Sequence, residues 1–228
     1  MEFAKIIWEK NTPKSVSFDD FYFSTTSGIQ ESIYNFLVHN DLQQRFSQLQ
    51  NKQYFRICET GFGSGLNFIL TKNLWHKYVI NDSQLEFISF EKFPITINDL
   101  RKILNSFAEL DGYQSFVEQY NPIDGLNIYK FDNITLKLII DDVNNINHYN
   151  LPVIDAWFLD GFSPTKNSLM WSDNLFDNIS KLCHNDSSFA TFTASSKVRK
   201  ALQKYGFKVK KDKGFGNKRE MMYGVFMS

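Results

Sequence analysis

Two stretches of this chain carry residues of a kind and spacing that do chemistry. The first is ETGFGSG over residues 59–65, with glycines at Gly61, Gly63 and Gly65 directly after the apolar run YFRIC. Glycines so spaced let a ligand approach the backbone closely where a strand turns into a helix. A dinucleotide fingerprint requires glycine or alanine at the sixth position, which here is Leu66, and the lysine of a phosphate loop is missing. Glu59 would repel a pyrophosphate, whereas it suits S-adenosylmethionine, which carries a sulfonium and an ammonium. A tight turn without a ligand is the alternative reading.

The second stretch is DAWFLDGFSPTKN over residues 155–167, which places Asp160 at the carboxyl end of an apolar strand. Open parallel sheets bind and transform ligands at that edge. A polar acceptor there can orient an amine lone pair for in-line displacement at a methyl group, or take the proton of an alkylammonium. Capping of its own loop is the other role open to Asp160. Glu91 ends the run LEFISF, where a carboxylate can accept two ribose hydroxyls. Asp141 and Asp142 end ITLKLII, where one can accept from an adenine amine or cap the next turn.

Phe62, Phe162, Tyr22, Phe23 and Trp171 could stack on an unstacked base of single-stranded RNA, although such a residue taken alone is more often core. Residues 197–219 hold ten basic residues and one acid, Asp212. Such a tail can track a phosphate backbone, or be the solvated face of a helix and an edge strand.

The elements that would position these residues alternate in a regular rhythm. Residues 4–24 predict a short hairpin around NTPKS, outside the main sheet. Ile29, Ile33, Phe36 and Leu37 predict one helical face over residues 28–40. From YFRIC onward, strands at 54–58, 85–90, 134–140, 155–160 and 188–193 alternate with helices at 65–75, 95–107, 172–183 and 196–205. That is an α/β, Rossmann-like sheet, mostly parallel and joined by crossover helices. FKVKKD and MMYGVFM, linked by a short loop containing GFGNK, predict an antiparallel closing hairpin. Residues 108–133 break the rhythm and read as an insertion carrying one helix. The division expected is an N-terminal extension over 1–50 and one catalytic domain over 51–228.

Length and composition bound the answer. The 228 residues suffice for one well-buried core, and 43% hydrophobic with 22% charged residues is ordinary for a globular domain. Cys58 and Cys183 lie far apart without metal-ligand spacing, so no disulfide framework or zinc site is expected and a reducing cytoplasm fits. No apolar run approaches the length of a membrane span and no signal peptide is expected. The 25 basic and 25 acidic residues cancel, which argues against strong nonspecific nucleic-acid binding and keeps open a small-molecule or protein amine as substrate.

Four stretches together resemble the methyltransferase domain of the MnmC-type tRNA 5-methylaminomethyl-2-thiouridine biosynthesis proteins. They are FDDFYFS at 18–24, ETGFGSGLNF at 59–68, DAWFLDGFSPTKN with MW at 170–171, and KGFGNKREMMYG at 213–224. The resemblance runs along nearly the whole chain, with departures at Ser64, Asp141 and residues 194–200. It implies a class I methyltransferase fold and methyl transfer from S-adenosylmethionine to the 5-aminomethyl nitrogen of a wobble uridine in the anticodon loop of tRNA. An RNA-binding relative without catalysis is the alternative. Cofactor contacts are then expected at Glu59, Gly61, Phe62, Gly63, Gly65, Asn67, Glu91, Lys92, Asp142 and Asp160, with Asp160 catalytic. Substrate contacts are expected at Tyr22, Phe23, Phe162, Lys166, Arg199, Lys218 and Arg219. Many relatives fuse this domain to an FAD-dependent oxidase, which here would be a separate partner.

Overall fold

The computed structural model describes residues 1–24 and 27–227. Its centre is an eight-stranded sheet in the order β10-β11-β9-β8-β4-β5-β7-β6. The parallel strands are β4 (Tyr54–Glu59), β5 (Gln84–Glu91), β7 (Ile134–Ile140), β8 (Ile154–Phe158) and β9 (Cys183–Thr191). β10 (Phe207–Lys213) and β11 (Glu220–Phe226) form the expected antiparallel hairpin, and β11 also pairs antiparallel with β9. β11 therefore lies between β9 and β10, so β10 runs in the same direction as the five parallel strands.

Strand alternation sends side chains to two cores. Phe55 and Ile57 of β4, Phe87 of β5 and Phe158 of β8 meet α3 (Leu66–Tyr78), α4 (Ile97–Asn105) and α5 (Gln114–Gln119) on one face. Cys58, Ile88, Phe90 and Trp157 point the other way, toward the 3-10 turn Val143–His148, α6 (Asp173–Lys181) and α7 (Ser196–Lys204). Strands buried on both faces explain the near-continuous apolar runs of the sequence. Phe68, Phe87, Phe116 and Trp75 are fully buried, so much of the high aromatic content is core.

Three local expectations change. The N-terminal hairpin of β1 (Ile6–Glu9) and β2 (Thr12–Ser15) gains a third short strand, β3 (Asp20–Phe21), in a separate sheet. The helix expected over 28–40 starts as α1 (Gly28–Ser32), capped by Ser27, and widens into a π-helical stretch, Ile33–Val38. A wider turn rotates the face. Asn35, Phe36 and Leu37 point inward, while Ile33 is left exposed. α2 (Leu42–Ser47) follows and buries Leu42 and Phe46 in the first core.

The segment 108–133 carries α5, as expected, and also an edge strand, β6 (Gly125–Phe131), antiparallel to β7. Its first half is inverted in polarity, with Leu126 and Ile128 facing outward and Asn127 inward, before Tyr129 and Phe131 restore an apolar inner face. The Asn127 amide donates to the carbonyls of Ile123, Gly125 and Leu138, which satisfies it there. Cys58 and Cys183 are both free thiols. Among the described residues no helix is long and apolar enough to cross a membrane.

Candidate active site

The glycine loop turns from β4 into α3 at the carboxyl edge of the sheet, beside the ends of β5, β7 and β8. Gly61 is needed because a Cβ there would lie 3.0 Å from the Asp160 carbonyl oxygen, so the loops after β4 and β8 touch backbone to backbone. The Thr60 hydroxyl reinforces this contact by donating to that same carbonyl at 2.6 Å. Gly65 stands in the left-handed region at φ 73°, where a side chain would meet the Phe62 ring at 2.7 Å.

These loops border a cavity of about 370 Å³, within the range of small-molecule sites. Gly61, Phe62, Gly63, Asn67, Glu91, Lys92, Asp141, Asp142 and Asp160 line it, as do Tyr22, Phe23 and Phe162. Glu59 does not. It is fully buried beneath the loop, accepting from Asn67 Nδ2 at 2.8 Å and from the Ser89 hydroxyl at 2.7 Å. The last residue of β4 thus points inward, and its link to the cavity runs through Asn67.

Asn67, in the first turn of α3, spends both hydrogens of one amide on two carboxylates. Its Nδ2 also donates to Asp160 Oδ2 at 2.7 Å, while its own Oδ1 is buried with no partner. Asp160 Oδ1 accepts from the Gly161 N–H at 2.8 Å. Burial pushes the Asp160 carboxyl up to about 7, and the nearby Glu31 adds to this, against the lowering pull of Gly161, Asn67 and Lys218. Burial also pushes Glu59 well above the usual carboxylate range, and the Asp160 charge adds to it.

Glu91 accepts from the Gly63 N–H at 2.8 Å and from the Phe93 N–H at 2.9 Å. Its carboxylate thereby holds the glycine loop in shape while lining the cavity. Burial raises its pKa against those backbone bonds. Asp142 caps the 3-10 turn through Asn144 N and pairs with Lys92 Nζ at 2.9 Å. For Asp142 burial acts upward, yet the Asn144 and Lys92 bonds outweigh it and hold the carboxyl below its ordinary value. Asp141 is held by Asn145 and by the Tyr149 hydroxyl.

An aromatic wall from the N-terminal segment closes one side. Phe18 stacks on Phe162 at 4.6 Å, and Tyr22 meets Phe162 edge-on at 5.2 Å. Asp20 fastens the two segments by accepting from Ser163 N at 3.1 Å. Phe23 packs on Phe107 as well as lining the cavity. Trp171 is buried and donates to the Phe162 carbonyl at 3.0 Å, so it supports the wall from behind.

The basic residues expected at the substrate fall outside the cavity lining. Lys166 is paired on the surface with Asp19 at 2.7 Å. Arg199 lies on α7 and Arg219 on the β10-β11 loop, both close enough to Glu220 to lower its pKa, after the larger effect of Lys211. Lys218 pairs with Glu31 at 2.6 Å. α7 begins, and the β10-β11 loop lies, at the same carboxyl edge of the sheet as the cavity.

Sequence reasoning missed Phe18, Phe93, Asn167 and Met170 in the lining, and gave Glu31 no part in the site. In the structure Glu31 is buried and ties Ser24 N to Lys218. A lone acid amid Gly28, Ile29 and Ser32 offered no signal of that long-range partner.

The donor set can be tested against a ligand. Among the described residues that line the cavity are four carboxylates, Glu91, Asp141, Asp142 and Asp160, and a single cation, Lys92, already paired with Asp142. Such a cavity disfavours a pyrophosphate and suits a cationic ligand with hydroxyl and amino groups to donate. The orphaned Asn67 Oδ1 supplies a further acceptor. S-adenosylmethionine meets each of these conditions, with the glycine loop, Glu91 and Asp142 as the residues that fit it.

Known proteins agree with this geometry. A family model described as S-adenosyl-L-methionine-dependent methyltransferase matches residues 108–227, more than half of the chain. The tRNA 5-methylaminomethyl-2-thiouridine biosynthesis bifunctional protein MnmC of Idiomarina loihiensis is 44% identical over 230 residues, covering 96% of this chain and 38% of that protein. The MnmC protein of Legionella pneumophila strain Philadelphia 1 is 40% identical over 238 residues, covering 96% of this chain and 36% of that one. The chain thus spans little more than a third of the curated relatives it matches. The crystal structure of MNMC2 from Aquifex aeolicus superposes with a TM-score of 0.73 at 25% identity, over 98% of this chain and 70% of that one. The resemblance read from four sequence stretches holds over nearly the whole length, and the chain belongs to the S-adenosyl-L-methionine-dependent methyltransferases.

Proposed function

We propose that the protein methylates the primary amine of a 5-aminomethyl-2-thiouridine at the wobble position of tRNA, giving 5-methylaminomethyl-2-thiouridine. The observation that carries this reading is the Asp160 carboxylate, lining the cavity, held by Asn67 and Gly161, and pushed up by burial to about 7. The names of the relatives at 40–44% identity supply the substrate class.

Bound S-adenosylmethionine supplies an electrophilic methyl group on a sulfonium whose departure leaves a neutral thioether. The glycine loop holds its methionine part, Glu91 its ribose and Asp142 its adenine side. Asp160 orients the amine and accepts its proton, so that the nitrogen lone pair is free to form the new N–CH₃ bond as the S–CH₃ bond breaks. A primary alkylammonium resembles a lysine, with a pKa of about 10. Lifting Asp160 from 3.8 to about 7 brings donor and acceptor closer by roughly three units, or ~4 kcal/mol of proton-transfer cost. Tyr22, Phe23 and Phe162 offer faces for the unstacked base, while Lys166, Arg199, Lys218 and Arg219 flank the entry for phosphates.

On this reading residues 1–50 complete the catalytic domain as an extension that walls the cavity. An FAD-dependent oxidase is proposed to release the amine upstream, with both steps taking place in the cytoplasm. The test is purified protein with S-adenosylmethionine and tRNA bearing the aminomethyl group, followed by nucleoside mass analysis. The methylated nucleoside is expected, and its absence with folded, cofactor-binding protein would refute the reading.

A further inference from the structure

Glu31 is a buried carboxylate outside the cavity lining that has been given no part in the reaction. It lies on α1 with its side chain 10% exposed, and it accepts from Ser24 N at 2.9 Å and from Lys218 Nζ at 2.6 Å. The lysine is not similarly enclosed: its side chain is 48% exposed on the β10-β11 loop. Its ammonium also lies 4.9 Å from the centre of the Phe192 ring. A buried carboxylate beside an aromatic face recognises a primary alkylammonium by charge and by the ring quadrupole. Phe192 follows β9, next to β8 and its Asp160 in the sheet. Both charges reach Asp160, Glu31 raising its proton affinity and Lys218 lowering it.

We propose that Glu31, backed by Phe192, is the receiving subsite for the protonated amine of the substrate, and that the Lys218 ammonium fills it in the free protein. The inference rests on the amine-methylating function proposed above. Entry of the substrate is then an exchange of ions. The lysine leaves Glu31 for a phosphate of the incoming RNA, and the substrate ammonium takes its place. No step strands Glu31 as an unpaired buried charge, which would be costly. Asp160 keeps a cation nearby throughout, and the proton later passes from the ammonium to Asp160.

The test uses n-propylammonium chloride, which matches the end of the lysine side chain, on the full chain. In Lys218→Ala the subsite is vacated, so propylammonium is expected to raise Tm saturably by a few degrees, above tetramethylammonium chloride at equal ionic strength. The native protein, with Lys218 in place, shows no such rise, and neither does the Lys218→Ala, Glu31→Gln double variant. Lys218→Met, which keeps the apolar stem, serves if the alanine variant folds poorly. Absence of saturable stabilisation in the single variant, or an equal rise in the double variant, would overturn the proposal. These outcomes do not depend on methyl transfer, so they stand apart from failure of the tRNA reading. With active enzyme, propylammonium should compete with tRNA in Lys218→Ala and not in the native protein. A purely structural latch between α1 and the loop predicts no competition in either.

Discussion

Replacing Asp160 by asparagine separates what the residue does for catalysis from what it costs the fold. In the native protein its carboxyl titrates near 7 rather than at 3.8, because burial disfavours the charged form. Between those two values the folded state binds a proton that the unfolded state has lost, so stability falls as pH rises and levels off above about 7. Three units at ~1.4 kcal/mol each give roughly 4 kcal/mol as the upper bound of that loss. An asparagine side chain carries no charge, so the variant escapes the decline. It does lose one matched bond, since its amide faces the donor of Asn67, at about 1 kcal/mol. The variant should therefore be slightly less stable than the native protein near pH 4 and more stable at pH 8. In a chain of this size the two Tm curves should diverge by roughly 10 °C across that interval. Glu91 is common to both proteins and largely cancels in the difference, whereas Glu59 loses the upward push of the Asp160 charge in the variant. Methyl transfer should fall about 10²-fold or more. Thermal unfolding of both proteins from pH 4 to 8 checks the argument. Parallel curves would refute the assignment of a raised pKa to Asp160, and undiminished turnover would refute its part in the chemistry.

The other expectations concern the surroundings of that carboxylate. Asn67→Ala removes the donor shared by Glu59 and Asp160; because that bond lowers the Asp160 pKa, the rising limb of the pH–rate profile should move to higher pH than in the native protein. Gly65→Ala forces a Cβ into a left-handed position 2.7 Å from Phe62. Denaturant titration should show a loss of about 1–3 kcal/mol, and calorimetry should show weaker cofactor binding. Phe162→Ala should raise KM for tRNA about tenfold, as expected for a lost base stack of ~1–3 kcal/mol. Replacing Arg199 and Arg219 together should flatten the dependence of tRNA affinity on salt, by roughly 0.7–0.9 in log–log slope per residue.

The parallel strands, their crossover helices and the closing hairpin were legible because burial on both faces writes long apolar runs between turn residues. The glycine loop and Asp160 were legible for a related reason: strand ends in such a sheet converge on one edge, so residues distant in sequence can be assigned to one site. Strand β6 was not legible, since an edge strand that turns Asn127 inward and Leu126 outward contradicts the pattern that announces strands. The π-helical stretch escaped for the same kind of reason, its period differing from the one used to read helices. Glu59 was read as a cofactor contact because the motif places it beside the loop. Which way the last side chain of a strand points depends on register with β5 and β8, which the motif does not contain.

The least legible part of the site is the part that sets its electrostatics. Asp160 is an exceptional carboxylate because burial raises its pKa, and the charges that tune it come from remote segments: Glu31 on α1, which raises it, and Lys218 near the C-terminus, which lowers it. Each is ordinary where it stands in the sequence. Asn67 alone lies within a motif, and its two hydrogen bonds keep a pair of buried acids from leaving their oxygens unmatched. Stability and chemistry therefore pull in opposite directions at one residue. The fold tolerates a desolvated carboxylate because donors from Asn67 and Gly161 offset part of the cost, and the same desolvation brings Asp160 nearer to the proton affinity of an amine. On the proposed function, a variant that admitted water beside Phe162 should relieve the fold and lower the basicity of Asp160 together, so that the aromatic wall would serve the reaction as well as closing the cavity.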